Sequence, residues 1–512
     1  MDESQLLSDQ PLGHKLIKKW FWLYFFMIIT APVWYLVKVL VSNSLSVEDI
    51  GVFYSVLGLV VLLSSYSDLG LTEALQYFLP KYWLNKEYNH YKTVLYVTFF
   101  VQFFMGVLIA LWLWFGSDWL ALHHFHSPAS AMVLRTLCLY FIGASFLWIF
   151  QSIFFAFQDV TKSNIINTVN IYTVLLFTFI FWFFQWLTLF SFSYAWISWV
   201  GVWIVVSALF FLWKYKKTLQ KGLFVLDNHL LRTQFSYAFR VFLWANVGTL
   251  LGQVDQQLVV NFLWTKDAGY YSNFFTLFGT YNIIITPFLT LLFPIVTELY
   301  AKHDMQKLSL LQNIFYKYFS VFALTIGWIF VAFGPHIASI LFGSKFLYSG
   351  TLLQYIAIGL VFNVLVGINF GILAGIGKAK ERVKVLAWAL FVNILINVLG
   401  IFVLKIGILS PIFGLIGWWV ILTWRSYLLI HKNCPISFDW KYLFWNLGVI
   451  IILIWFSSFF IAPRLILNDS LRYSNLLRFL LWCFGYYVVI ALVNWKSISV
   501  LVNEIKVLRK SI

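Results

Sequence analysis

Apolar runs of twenty or more residues recur along this chain, separated by short polar joints. A helix needs about 20 apolar residues to cross the hydrocarbon core of a bilayer. Only helices and closed barrels satisfy their backbone hydrogen bonds in that medium. Taken in order, the runs predict helices near 18–42, 49–79, 92–115, 131–157, 164–188, 190–213, 234–263, 268–300, 311–333, 348–376, 383–405, 409–430, 441–462 and 474–495. The expected fold is therefore an all-α polytopic membrane protein of about 14 transmembrane helices.

Composition decides between this reading and a soluble one. The chain is 62% hydrophobic and only 11% charged, whereas a soluble domain carries roughly 25% charged residues. So few charges cannot cover a soluble surface of this size. The formal charge of +16 does not mark a nucleic-acid binder, because the basic residues fall in short groups between apolar runs instead of clustering on one solvated face. Their distribution reads as topology. With the N-terminus inside, the inner loops carry 26 Lys and Arg and the outer loops six. Both termini are expected to be cytoplasmic, in a bacterial inner or archaeal cell membrane. The first run, Trp20 to Leu45, exceeds a signal-peptide core and has no small-residue cleavage site behind it, so it reads as a retained helix. The outer loops are too short to hold a catalytic domain, and no phosphate-binding Gly-rich loop with Lys and Ser/Thr occurs. The expectation is a non-enzyme without cofactors, coupled if at all to Na+ or H+. Cys138, Cys434 and Cys483 match no metal motif.

An internal repeat divides the chain. "SVEDIGVFYS" and "WTKDAGYYSN" align at an offset of 218, pairing Asp49 with Asp267, Gly51 with Gly269 and Phe53 with Tyr271. At the same offset Ala156 pairs with Ala374 and Lys162 with Lys380. An offset of six helices gives two lobes of equal orientation, as in transporters with parallel repeats. The predicted organisation is an N-terminal six-helix lobe (1–220), a C-terminal six-helix lobe (221–432), and two extra helices with an amphipathic basic tail (433–512).

Charges deep in a span are costly and mark pathways or pairs. Asp255 stands among Gln253, Gln256 and Gln257 in "GQVDQQLVVN". This stretch is either a hydrophilic cavity wall or a polar helix–helix contact. Arg240, about four turns earlier, suits a diphosphate through its guanidinium fork or snorkels to headgroups. Lys38 has the same two readings, and Arg135 is placed to snorkel. In "SSYSDLGLTEAL", Asp68, Gly70 and Glu73 suggest a helix break, serving as a hinge or ion site, or as a kink in which Asp68 caps the following segment. Pro287 and Pro294 bend their helix and are candidate gating positions. Asn363, Asn369, Asn393 and Asn397 read as interhelical glue. His123, His124 and His126 share an outer loop, where a metal is the weaker reading.

The segments "SVEDIGVFYS…SDLGL", "DQQLVVNFLWTKDAGYYS", "FPIVTELYAKHDMQKL" and "NILINVLGIFVLKIG" resemble, in order and spacing over most of 18–430, one branch of the multidrug/oligosaccharidyl-lipid/polysaccharide (MOP) exporter superfamily. This is the polysaccharide-transporter branch, the Wzx-type flippases. The resemblance implies translocation of a polyprenyl-diphosphate-linked oligosaccharide to the outer leaflet by alternation of two lobes about a cationic cavity. Mapped onto this chain, it points to Lys38 and Arg240 for the diphosphate and to Gln253, Asp255 and Gln256 for sugar or cation. Asp68 matches the family's "DLGL" turn. The expected partners are the lipid-linked oligosaccharide and membrane lipids, with the protein a monomer or associated with polysaccharide polymerase or assembly proteins. Rival readings are a cation-coupled multidrug-type antiporter, disfavoured by the last two helices, a membrane-embedded glycan polymerase or glycosyltransferase, and a non-transporting assembly partner.

Overall fold

The computed structural model describes residues 12–157, 159–219, 222–432, 440–461 and 472–494. The C-terminal tail expected to be amphipathic lies outside these residues. Among them the secondary structure is entirely helical. In chain order the helices are α1 (Leu12–Ser44), α2 (Val47–Ser67), α3 (Leu71–Leu84), α4 (Tyr88–Phe115), α5 (Ser117–His123), α6 (Ala129–Ala156), α7 (Val160–Phe183) and α8 (Leu189–Leu219). They continue with α9 (Asn228–Phe262), α10 (Thr265–Ala301), α11 (Met305–Phe342), α12 (Leu347–Ile356), α13 (Leu360–Gly375), α14 (Ala379–Val398), α15 (Leu409–His431), α16 (Trp440–Phe456) and α17 (Arg472–Val493).

Each of the fourteen expected spans falls on one of these helices or on a broken pair of them. Among the described residues, eleven segments are long and apolar enough to cross a bilayer. The polytopic all-α expectation is borne out, and the count of fourteen crossings stays a proposal. Side-chain exposure fits a lipid solvent. Along α4, Phe100, Phe104, Leu108, Leu111 and Phe115 form one exposed stripe at helical spacing. A soluble monomer rarely leaves so much contiguous apolar surface uncovered.

The repeat is written in the helix boundaries. α1 ends at Ser44 and α9 at Phe262, while α2 starts at Val47 and α10 at Thr265; both pairs are 218 apart. The aligned glycines meet. A Cβ on Gly51 would lie 1.7 Å from the Thr265 carbonyl oxygen, and a Cβ on Gly269 would lie 2.1 Å from that of Val47. Val47 and Thr265 are themselves a repeat pair, so the contact is reciprocal, as across a local twofold axis. Only glycine permits two helix backbones to approach this closely.

Two compact units are formed, Met1–Gly269 and Tyr270–Ile512. The first takes in α9, which the repeat assigns to the second lobe. Its hydrogen bonds explain why. Residues leading into α9 are pinned to the start of α4: the Leu223 N–H donates to Asn89 Oδ1 (2.8 Å) and the Lys92 ammonium to the Gly222 carbonyl (2.8 Å). Further along α9, Gln234 Nε2 donates to Thr98 Oγ1 on α4 at 3.0 Å. In the second unit α14 packs on α15, α13 on α15, and α11 on α12, α13, α16 and α17. A buried cluster of Trp328, Phe333, Ile450 and Tyr486 joins α11 to α16 and α17.

Candidate functional site

The apolar run of α2 ends in "SSYSDLGL", and the helix ends with it. Leu69 (φ 50°) and Gly70 (φ 74°) are both left-handed, a conformation that turns the chain and costs a non-glycine residue energy. Gly70 is required for a second reason: a Cβ there would lie 2.2 Å from the Ala238 carbonyl oxygen of α9. The turn is held by Asp68, whose Oδ1 accepts the Thr72 N–H at 3.1 Å and whose Oδ2 accepts the Thr72 hydroxyl at 2.8 Å. Asp68 thereby caps the first turn of α3, satisfying donors that a helix start leaves free.

The broken helix opens a cavity of about 270 Å³ inside the first unit. Ser64, Ser65, Asp68, Thr72 and Glu73 form one side; Tyr140 and Trp148 of α6 and Phe242 and Thr249 of α9 complete it. The Thr72 hydroxyl lies within reach of both carboxylates, 2.8 Å from Asp68 Oδ2 and 3.2 Å from Glu73 Oε2. A hydroxyl carries one proton, so it serves one carboxylate at a time.

The remaining predicted residues stand elsewhere. Lys38 is 3% exposed, with its ammonium 3.2 Å from the Tyr54 ring centroid, a cation–π contact. Tyr54 belongs to an aromatic group with Phe53 and Phe192. Arg240 is exposed on α9 and donates through Nε to the Ser236 carbonyl at 3.0 Å. Asp255 is 2% exposed. Gln256 and Gln257 seal α9 to α2: Gln256 Nε2 donates to Ser55 Oγ (2.8 Å) and Gln257 Nε2 to the Ser55 carbonyl (2.9 Å). Gln253 packs over Gly58, where a Cβ would lie 2.7 Å from its Oε1. The three glutamines thus share the α2-facing side of α9, and of the predicted residues Asp68, Gly70 and Glu73 line the cavity. Pro287 and Pro294 lie within a continuous α10.

At the end of this seam, His124 Nε2–H donates to Gln257 Oε1 at 2.9 Å and His126 Nε2–H to the Asn261 carbonyl at 2.9 Å. Arg135 pairs with Asp118 at 2.6 Å. In the second unit Asn369 accepts from the Tyr316 hydroxyl and donates to Ser426 Oγ (2.8 Å), tying α13 to α11 and α15. Sequence reasoning missed Tyr54, Tyr140, Trp148 and Thr249. Single aromatics and hydroxyls in a chain that is 21% aromatic carry no signal of their own.

Residues 16–300 match the family described as polysaccharide biosynthesis protein. The uncharacterized membrane protein MJ1068 of Methanocaldococcus jannaschii is 24% identical over 442 residues, covering 82% of this chain and 85% of that protein. Among solved structures, the lipid II flippase MurJ in an inward closed conformation superposes with a TM-score of 0.67 at 13% identity, covering 93% of this chain and 99% of the other. An inward-facing multidrug resistance MATE family transporter of the MOP superfamily superposes with a TM-score of 0.64 at 13% identity, covering 84% and 95%. Identity that low speaks for the fold, whereas the family match spans more than half of the sequence. The chain belongs to the polysaccharide biosynthesis protein family and has the fold of MOP-superfamily transporters.

Proposed function

We propose that this chain is a flippase that moves a polyprenyl-diphosphate-linked oligosaccharide from the cytoplasmic to the outer leaflet, by alternating access, for cell-surface polysaccharide synthesis. The observation that carries the reading is the family match, taken together with a fold that follows a lipid flippase over nearly the whole chain. The protein sits in the plasma membrane with both termini cytoplasmic, in line with the bias of basic residues to the inner loops. It acts as a monomer, alone or beside polymerase and assembly proteins. Six helices of each repeat form the lobes, and the last two are additions.

Arg240 supplies the diphosphate contact in this reading: it is exposed, and among the described residues its Nε bonds one backbone carbonyl, while its guanidinium fork suits a phosphate oxygen pair. Lys38, buried under Tyr54, acts by fixing α1 against α2. Asp255 and the glutamines beside it serve sugar or cation contact only if α9 parts from α2 during the cycle. Asp68 and Glu73 share a proton or a monovalent cation across the Thr72 hydroxyl, which couples transport to an ion gradient. Bends at Pro287 and Pro294, where two backbone donors are missing, let α10 gate.

The test uses purified protein in liposomes with a fluorescent polyprenyl-diphosphate oligosaccharide, read by a quencher added outside. Wild type moves the probe above protein-free liposomes. Arg240→Ala slows it, and Asp68→Asn removes its dependence on an imposed gradient. Absence of movement in folded wild type, with and without a gradient, sinks the flippase reading. Ion-coupled efflux of a small organic cation in the same liposomes would then favour the antiporter, which shares this fold.

A further inference from the structure

In the second unit, α14 and α15 run side by side, and at one end of the pair an open groove of about 340 Å³ lies between them. Glu381, Lys384 and Trp388 line it from α14, and Arg425, Leu428 and Lys432 from α15 and the residue after it. The spacing explains the convergence. Positions 381, 384 and 388 recur on one face of α14, and 425, 428 and 432 on one face of α15. All three cations are exposed. None of them takes part in an ion pair among the described residues. Three positive charges therefore face one carboxylate in a groove whose floor is apolar.

The groove continues. Trp388 also lines a second depression of about 320 Å³ with Ala387 and Phe391. Trp388 and Phe391 are 61% and 58% exposed, and their rings stand perpendicular with centroids 6.2 Å apart. The cationic mouth lies at the end of the two helices, and the aromatic notch lies one to two turns further into the apolar run of α14. A molecule filling both has an anionic head and a hydrocarbon tail, with the head held at the depth where Trp, Lys and Arg meet the headgroups.

We propose that this groove is a binding site for an anionic glycerophospholipid of the surrounding bilayer. The phosphate diester lies between Lys384, Arg425 and Lys432, and one acyl chain lies along Trp388 and Phe391. Arg425 offers the planar fork that matches two phosphate oxygens, and the lysines add point charges. Glu381 is the discriminating element. It repels a second negative charge, so a diester monoanion is held in preference to a phosphate monoester.

The test is native mass spectrometry of the full-length protein released from nanodiscs of equal phosphatidylglycerol and phosphatidylcholine. Wild type retains one phosphatidylglycerol under activation that strips phosphatidylcholine. K384Q/R425Q lowers that retention by about thirtyfold, given the usual contribution of a basic residue at an anionic surface. K302Q/K307Q, which also removes two positive charges, at exposed Lys302 and half-buried Lys307, leaves it unchanged. E381Q raises retention, a gain that a misfolded variant does not give. Equal retention of the two lipids, undiminished retention in K384Q/R425Q, or loss of phosphatidylglycerol to about 10 mM inorganic phosphate would each overturn the proposal; the last would leave a phosphate site that makes no use of the tail.

Discussion

Replacing Gly51 by alanine should push two helices apart. The new methyl group would sit 1.7 Å from the Thr265 carbonyl oxygen, and a normal carbon–oxygen contact is about 3.3 Å. The starts of α2 and α10 must separate by about 1.5 Å. Neither side can yield by rotating a side chain, because the obstacle is backbone. Overpacking of this kind costs about 1–3 kcal/mol. The separation also stretches the Gln256 bridge, which spans Ser55 Oγ (2.8 Å) and the Ala268 carbonyl (3.2 Å); one bond lost there costs roughly 1 kcal/mol. Alanine regains about 1 kcal/mol of helix propensity over glycine. The net loss is about 1–3 kcal/mol, or roughly 5 °C in the melting temperature of a unit this large. Retention on size exclusion after heating, in detergent, measures it. Gly269→Ala should behave alike, since its methyl meets the Val47 oxygen. The double variant should lose less than the sum, because helices already parted accommodate both methyls. Gly201 on α8 is the control: nothing lies within 4 Å of its added Cβ, so Gly201→Ala should hold or raise stability. A Gly51→Ala protein as stable as wild type would refute the reciprocal crossing.

Two further outcomes are expected. Burial holds the His124 imidazole below its ordinary value, with bonds to Gln257 and Asn261 opposing. The unfolded chain therefore takes up the proton first as pH falls below about 6.5, so stability should be level above that pH and decline beneath it. His124→Gln should flatten the decline, and equal melting curves at pH 5 in both proteins would contradict this. Asn369→Ala removes the bonds from the buried Tyr316 hydroxyl and to Ser426 Oγ and should cost about 1–3 kcal/mol. Adding Tyr316→Phe should recover part of the loss, and a strictly additive double variant would count against the bond.

The glutamine run illustrates how far sequence reached into the site. Four polar residues in "QVDQQ" announce that one side of α9 is not lipid-facing, since lipid offers them no partners. Whether that side meets water or another helix depends on what stands opposite. Opposite stand Ser55 and Gly58 of α2, about 200 positions away in the chain. The break at "SDLGL" is different: its cause is local, the left-handed Leu69–Gly70 step and the Asp68 cap, so it was legible directly. The cavity beside it was not, because Tyr140, Trp148 and Thr249 come to it from two other helices.

By itself the sequence determined the solvent, the helical class and the positions of the helices, because a 20-residue apolar period and the loop charges are local properties. It also carried the repeat at an offset of 218, later visible in the helix ends at Ser44 and Phe262. The tertiary structure alone decided which helices touch: that Gly51 rests on its own repeat partner's helix, that α9 docks on α2 and α4, and that Lys384 and Arg425 face one groove. In a lipid solvent the hydrophobic effect does not choose between apolar faces. Close backbone approach and a few polar pairs make that choice, and they exist only once distant segments have met.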